Sequence, residues 1–267
     1  MEIHTPEITA NRIRQHLRNG KRFDSRAPES FRDLSIETGV SKKAEGSARV
    51  KLGKTEVIVG VKMDVSEPYP DSPDKGNLMV TAELLPLSSP RIDLGRPGIE
   101  SIEIGRVIDR CIRESKFIDV EKLCIKEGEK VWTVFIDIYS INDDGNVLDA
   151  AAIGTIVALK NAKIPVYDEK EEKVLYGEHS DNGIPLKKEI PLSLTIHKIR
   201  DSLIVDPTKE EEDIVEARMT IGSYDGTISS IQKGREGTLG IDEIDKVLET
   251  YEKAWNEVFK KIEKFIK

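Results

Sequence analysis

Residues 146–165, NVLDAAAIGTIVALKNAKIP, concentrate alanine and other small residues in a stretch with helical character. Small side chains let a helix lie close against a sheet, so this stretch calls for strands to receive it. Such strands are legible on its N-terminal side. In TEVIVGVKMDV, residues 55–65, Val57, Val59, Val61, Met63 and Val65 recur at every second position and share one face. KVWTVFIDIYSI repeats the pattern with Trp132, Val134, Ile136 and Ile138, and Asp144-Gly145 marks the turn into the alanine-rich stretch. DLSIETG, SARVKLG and NLMVTAELL read as further strands, with Gly53-Lys54 a tight hairpin. Beyond the helix a second set follows: EIPLSLTIHKI, SLIVD, IVEARMTIG and GTISSIQ. A long helical stripe of Ile244, Leu248, Tyr251, Trp255, Val258 and Ile262 closes the chain. Strands then helices, twice over, predict an α+β fold.

The 267 residues can bury a substantial core as two intimately packed halves. We divide the chain into an N-terminal helical extension (1–22, with helix-spaced Ile8, Ile13 and Leu17), a first half (23–165) and a second half (166–267). The extension is expected to dock on the body. Charges and turn formers dominate residues 168–189, which reads as a mobile insertion between halves. The two cysteines, Cys111 and Cys124, form no CxxC pair and are expected as reduced core thiols. The polar opening does not resemble a signal peptide and no run reaches membrane-span length, which predicts a soluble, cytoplasmic chain without a membrane partner. A net charge of -8 argues against global attraction to duplex nucleic acid; any such contact must be focused on a local cluster of cations.

Several chemistries lack their residues. GREGTLG, 234–240, has no Lys-Ser/Thr ending and reads as a turn; no strand-GxGxxG-helix pattern, HExxH or GxSxG elbow occurs. No cofactor or metal is expected. The run Glu210, Glu211, Glu212 and Asp213, with Asp206 upstream, reads as a solvated acidic loop rather than a Mg²⁺ site. Glu216 and Arg218, two apart in IVEARMTI, share a strand face and are placed to pair.

SIEIGRVIDRCIRES, 101–115, sets Arg106, Arg110 and Arg113 at i, i+4 and i+7, opposite an apolar face of Ile104, Val107, Ile108 and Cys111. Two readings fit this stripe. Glu103, Asp109 and Glu114 stand at ion-pair spacing from the arginines, as on a solvated face. Ile102 projects beside the arginines, as on a face that meets a partner or ligand.

Five segments, in order, resemble the RNase PH family, and within it the non-catalytic ring subunits of archaeal exosomes: RFDSRAPESFRDLSIETG, GSARVKLGKTEVIVGV, SIEIGRVIDRCIRES, DDGNVLDAAAIGTIVAL and IVDPTKEEEDIVEARMTI. The resemblance covers nearly the whole chain beyond the N-terminal helix. It implies an RNase PH-like fold of two packed β-α halves (ribosomal protein S5 domain 2-like) and a hexameric ring formed with a homologue around a channel. Active members degrade RNA from its 3′ end, with inorganic phosphate as nucleophile.

The same resemblance identifies what this chain lacks. Active archaeal homologues carry an arginine pair where Ile99-Glu100 stands, a Gly-Thr-Arg turn where Asn146-Val147-Leu148 stands, and a catalytic aspartate where Glu216-Ala217 is followed by Arg218. Arginine stays protonated and cannot act as general acid or base near neutral pH. Asp213 becomes a replacement only under a register shift that the Glu-Ala anchor disfavours. The resemblance thus implies no catalytic residues, with Arg106, Arg110 and Arg113 reaching RNA at a neighbour's site. It also implies a homologous catalytic subunit in a three-plus-three heterohexamer, RNA-binding cap proteins, and single-stranded RNA as the ligand. The competing reading is that the chain is itself a phosphate-dependent 3′-to-5′ exoribonuclease.

Overall fold

A computed structural model describes residues 5–267; the first four residues of the N-terminal extension, His4 among them, lie outside the described residues. Helix α1 (Glu7–Arg18) lays Ala10, Ile13 and Leu17 inward, where the last two meet Ile199, Ile204 and Val215. The extension therefore docks on the second half.

The first half is a sheet in the order β1 (Leu34–Thr38), β2 (Gly46–Leu52), β3 (Thr55–Ser66), β6 (Lys130–Asn142), β4 (Asn77–Leu84), with the short β5 (Cys124–Lys126) also on β6. All pairs are antiparallel except β4 with β6, whose crossover is carried by α2 (Ile99–Glu114). The second half is an antiparallel sheet, β10 (Ser202–Val205), β9 (Leu192–Ile199), β11 (Ala217–Tyr224), β12 (Thr227–Gly234), backed by α5 (Ile241–Ile266). One continuous apolar core runs through both halves.

The alanine-rich stretch, α3 (Val147–Lys160), lies between the sheets, against β2 and β3 on one side and β9 and α5 on the other. Every residue from Val147 to Leu159 is buried, as an all-round apolar helix requires. Its small residues are a steric necessity. A Cβ on Gly154 would stand 2.8 Å from Val59 Cγ2, and one on Gly46 of β2 would stand 2.3 Å from the Ala158 carbonyl oxygen. The α5 stripe is centred one position away from the sequence reading: Val247, Tyr251, Ala254, Val258 and Ile262 are buried, while Ile244, Leu248 and Trp255 are only partly so.

Three further readings need correction. Residues 168–189 are largely a two-stranded ribbon, β7 (Lys163–Asp168) with β8 (Lys173–Gly183), turned by Asp168 Oδ1 accepting the amides of Lys170 and Glu171 at 2.9 and 3.2 Å. Its charges hide the pattern because only Val174 of β8 is buried. The acidic run is no solvated loop. It forms α4 (Lys209–Asp213), in which Glu211 is buried against Arg22, Glu212 takes Lys209 at 3.1 Å and Asp213 takes Arg91 in a bidentate pair at 2.6 and 2.8 Å. The thiols also differ: Cys111 is buried, Cys124 only half-buried, and both are free.

The halves are tied through Asp206, buried just after β10. Its carboxylate accepts the Arg32 amide and Nη2, each at 2.7 Å, Asn146 Nδ2 at 3.0 Å and Arg26 Nη1 at 3.1 Å. Arg22, also buried, donates to the carbonyls of Val205 and Asp206 at 2.8 Å each. Burial works to raise the Asp206 pKa, but the Arg32 hydrogen bonds and charge hold it below the ordinary carboxylate value. A group lowered in this way stabilises the fold above its unfolded pKa, near 3.9, and that stability is lost as pH falls through the folded value. Asp206→Asn should therefore cost about 3–5 kcal/mol near neutral pH, where it removes the buried carboxylate partner of Arg32 and leaves that guanidinium only the half-buried Asp144 carboxylate at 3.4 Å. It should also flatten the loss of stability below about pH 4; urea melts of both forms across pH 2.5–7 check each expectation.

Candidate nucleic-acid interface

Helix α2 stands between the two sheets, against β4 on one side and β12 on the other. Gly105 allows the close approach to β4, since a Cβ there would sit 3.1 Å from the Val80 carbonyl oxygen. The buried side of α2 is Ile104, Val107, Ile108, Cys111 and Ile112, and burial pushes the Cys111 thiol up to about 12, so it is inert packing.

The opposite side brings Arg106, Arg110 and Arg113 together in one open groove of about 510 Å³, floored by Val80, Thr81 and Ala82 of β4 and walled by Ile102. The three arginines differ in what already holds them. Arg113 is paired with Asp109 at 2.7 Å, the ion pair anticipated by spacing, and that hydrogen bond raises its pKa. Arg110 leans on β12, donating to Gln232 Oε1 at 3.3 Å. Arg106 is exposed and has no hydrogen-bond or ion-pair partner among the described residues. Glu103 and Glu114 do not take the roles their spacing suggested.

Glu103 instead faces the second half. Its carboxylate pairs with Arg218 of β11 and accepts Gln232 Nε2 at 2.9 Å. Burial works to raise the Glu103 pKa, but Arg218 beside it holds it below the ordinary value. Glu216, expected to pair with Arg218, goes to Arg200 at 3.3 Å. It lies one residue before β11 begins, so strand alternation does not align the two side chains. The Arg218 guanidinium lies over Gly234, where a Cβ would come within 2.5 Å of Nε. Gly234 and Gln232 are residues that pattern reading missed, and Glu103 was read with the wrong partner; the signal for all three is tertiary.

Between this pair and the N-terminus of α3 little space remains, a cavity of about 40 Å³ lined by Val147, Leu148, Lys209, Glu212, Arg218 and Arg235 among others. The α3 N-terminus, where backbone amides favour an anion, already faces a carboxylate: the Asn146 amide donates to Glu212 Oε1 at 3.4 Å. Asn146 itself has φ 59 and turns its side chain to Asp206. Val147 and Leu148 offer no polar atom beyond the backbone. Asp213, the alternative acid, is held by Arg91 and by Thr5 Oγ1 at 2.7 Å. No helix among the described residues is long and apolar enough to cross a membrane.

Two β-α halves closing on a shared helix, with a charged cleft where α2, α3 and β11 converge, define a protein of the RNase PH class. Sequence profiles agree: 3′ exoribonuclease family domain 1 matches residues 30–165 and domain 2 matches residues 189–253. The chain belongs to the RNase PH family of 3′ exoribonucleases. It is similar to the exosome complex component Rrp42 of Methanothermobacter thermautotrophicus, 46% identical over 91% of this chain and 90% of that protein. It is also similar to the component of the same name from Thermococcus kodakarensis, 42% identical over 97% of each. Among solved structures, it superposes on a chain of the Archaeoglobus fulgidus exosome with RNA bound to the active site at a TM-score of 0.88, 40% identity, covering 96% of this chain and 98% of that one. An archaeal exosome core gives 0.84 at 38% identity, covering 96% and 97%.

Because Glu103 holds both Arg218 and Gln232, Glu103→Gln should destabilise the fold by about 1–3 kcal/mol, the range for charge-assisted hydrogen bonds lost at a half-buried site. Arg218→Met, which withdraws the half-buried cation as well, should cost less when combined with Glu103→Gln than the sum of the single changes. A double-mutant cycle by denaturant melts measures that coupling.

Proposed function

We propose that this chain is a subunit of an exosome ring that lacks a phosphorolytic site of its own and holds RNA on α2 for a homologous catalytic neighbour. The observation that carries the reading is the Glu103–Arg218 pair, which puts a paired guanidinium where phosphorolysis needs a free acid. The Glu212 carboxylate at the α3 N-terminus supports it, because an incoming phosphate would meet repulsion there. The names of the relatives, exosome components in archaea, support the assembly. So does the structural likeness to chains of exosome cores, one with RNA bound.

In this reading the partners are a catalytic homologue in a three-plus-three ring, RNA-binding cap proteins and single-stranded RNA, with the cytoplasm as the compartment. A subunit without its own chemistry has its role beside one that has it, and alternating unlike edges close such a ring. Arg106 and Arg110 are the groups placed to hold RNA. Among the described residues Arg106 has no partner to give up, and Arg110 exchanges one neutral acceptor for a phosphate. Arg113 must share itself with Asp109. Guanidinium forks bind phosphate oxygens through charge-assisted hydrogen bonds, and contacts confined to the backbone read no base sequence.

The competing reading, an exoribonuclease in its own right, is tested directly. Purified chain with phosphate should release no nucleoside diphosphate from RNA. Arg218→Asp should not create activity, since the phosphate-holding groups are still absent; phosphate-dependent shortening by either form would refute the proposal. In the assembled complex, Arg106→Ala with Arg110→Ala should weaken single-stranded RNA binding at low salt. The slope of log affinity against log salt should fall by about 1.4, two phosphate contacts at about 0.7 each. An unchanged slope in an intact double variant would return the stripe to a solvated face.

A further inference from the structure

The arginine groove does not end at Arg113. That residue also lines a second groove, of about 560 Å³, which continues past the C-terminal end of α2. Its cations are Lys75, Lys116 and Lys187 in addition to Arg113, and its wall carries the half-exposed ring of Tyr69. Asp119 and Glu121 are the acids present; Asp119 is taken by Lys122 at 2.8 Å, outside the groove lining. Among the described residues, no carboxylate lies within ion-pair distance of Lys75, Lys116 or Lys187. In a chain of net charge -8, four cations against two acids is a local reversal of sign.

The backbone that carries the ring and one of the lysines is held in place. The Tyr69 loop is pinned along its length: the Ser72 amide donates to the Tyr69 carbonyl at 3.0 Å, the Gly128 amide to Pro73 at 2.9 Å and the Gly76 amide to Val120 at 2.8 Å. Lys116 closes α2 in a Schellman motif, its amide on the Arg113 carbonyl at 3.0 Å and the Phe117 amide on Ile112 at 3.2 Å. The motif puts Lys116 at φ 52, a position where glycine is usual and a side chain is strained. The chain thus keeps a cation at a position that favours none.

We propose that this second groove is a single-stranded RNA subsite continuous with the arginine groove, in which a base stacks on Tyr69 while Lys75, Lys116 and Lys187 hold the flanking phosphates. Cations along a groove with an aromatic platform form the arrangement that binds single strands without sequence preference, because every base offers a π-face. Arg113 links the two grooves, so a strand held at Arg106 and Arg110 passes into the second groove without leaving the protein surface. The subsite rests on the proposed role of α2 in holding RNA and extends it by the next nucleotides of the strand.

Binding of oligouridylates of about 4 and about 16 nucleotides to the assembled complex tests this. Tyr69→Ala should weaken the long probe by about 5- to 100-fold, spare the short one, and be rescued by Tyr69→Phe, which keeps the ring. Lys116→Gly relieves the strained φ, so it should raise the melting temperature while weakening the long probe and lowering its salt slope by about 0.7. If both variants leave the long probe unchanged while Arg106→Ala with Arg110→Ala weakens it, the subsite is wrong and the role of α2 stands. If the arginine pair is also without effect, both fall. Equal weakening of short and long probes by Tyr69→Ala would likewise overturn the subsite, since a distant platform cannot act on a strand too short to reach it.

Discussion

The carboxylate of Asp206 is the junction on which the arrangement of the two halves depends. It sits without solvent exposure between the segment that leads into the first sheet and the loop that leaves β10, and takes Arg32, Arg26 and Asn146 together. Ions buried in this way are costly unless every partner is present. Arg32 carries the order further, donating to the Asp144 and Gly145 carbonyls at 2.9 and 3.0 Å. Gly145 is held so closely that a Cβ would meet the Pro207 carbonyl oxygen at 2.6 Å. The start of α3 is thereby fixed relative to α4, and α4 supplies the Glu212 carboxylate that faces the α3 N-terminus.

From that junction outward, the charged cleft follows from packing. α3 can lie between two sheets only because Gly154, Gly46 and the alanines leave room for it. With α3 seated, the edges of the sheets come to either side of α2, and Glu103 on one half meets Arg218 and Gln232 on the other. An ion pair across the cleft joins the halves and removes a free acid at one stroke. The arginines of α2 are left facing outward over β4, where Gly105 lets the helix settle against the strand. Structure and proposed chemistry thus share residues: the Glu103–Arg218 pair that closes the cleft is also the pair on which the proposed function rests.

The grooves differ from the cleft in being open. Among the described residues Arg106 is unpaired, because Glu103, its neighbour by sequence, is committed to the other half. Spacing along a helix sets which charges can meet for a gain of a few tenths of a kcal/mol, and a charge-assisted bond across a half-buried interface outweighs that gain. Arg113 shows the opposite balance: exposed, with no competing partner for Asp109, it keeps the local pair. The same stripe therefore contains both a solvated ion pair and a free guanidinium.

Strands β1 to β4, β6 and β9 to β12, helices α1, α2, α3 and α5, the hairpin at Gly53-Lys54 and the buried face of α2 were legible in the sequence, because period-two and helical patterns record which side of an element meets a core. Arg218 and the apolar Val147 and Leu148 were legible too, as residue types that cannot perform acid–base chemistry or offer an anion a side-chain donor. The ribbon at 163–183 and the role of the acidic run escaped, since charged residues give no periodic signal when their partners lie elsewhere in the chain. Which partner each charge takes was decided only in three dimensions. Glu211 finds Arg22, Asp213 finds Arg91 and Glu103 finds Arg218 across separations of 189, 122 and 115 residues. Apolar periodicity is a property of one element and can be read from it, whereas the energy of a charge depends on what stands beside it and on how much water is excluded, and both are set by the fold.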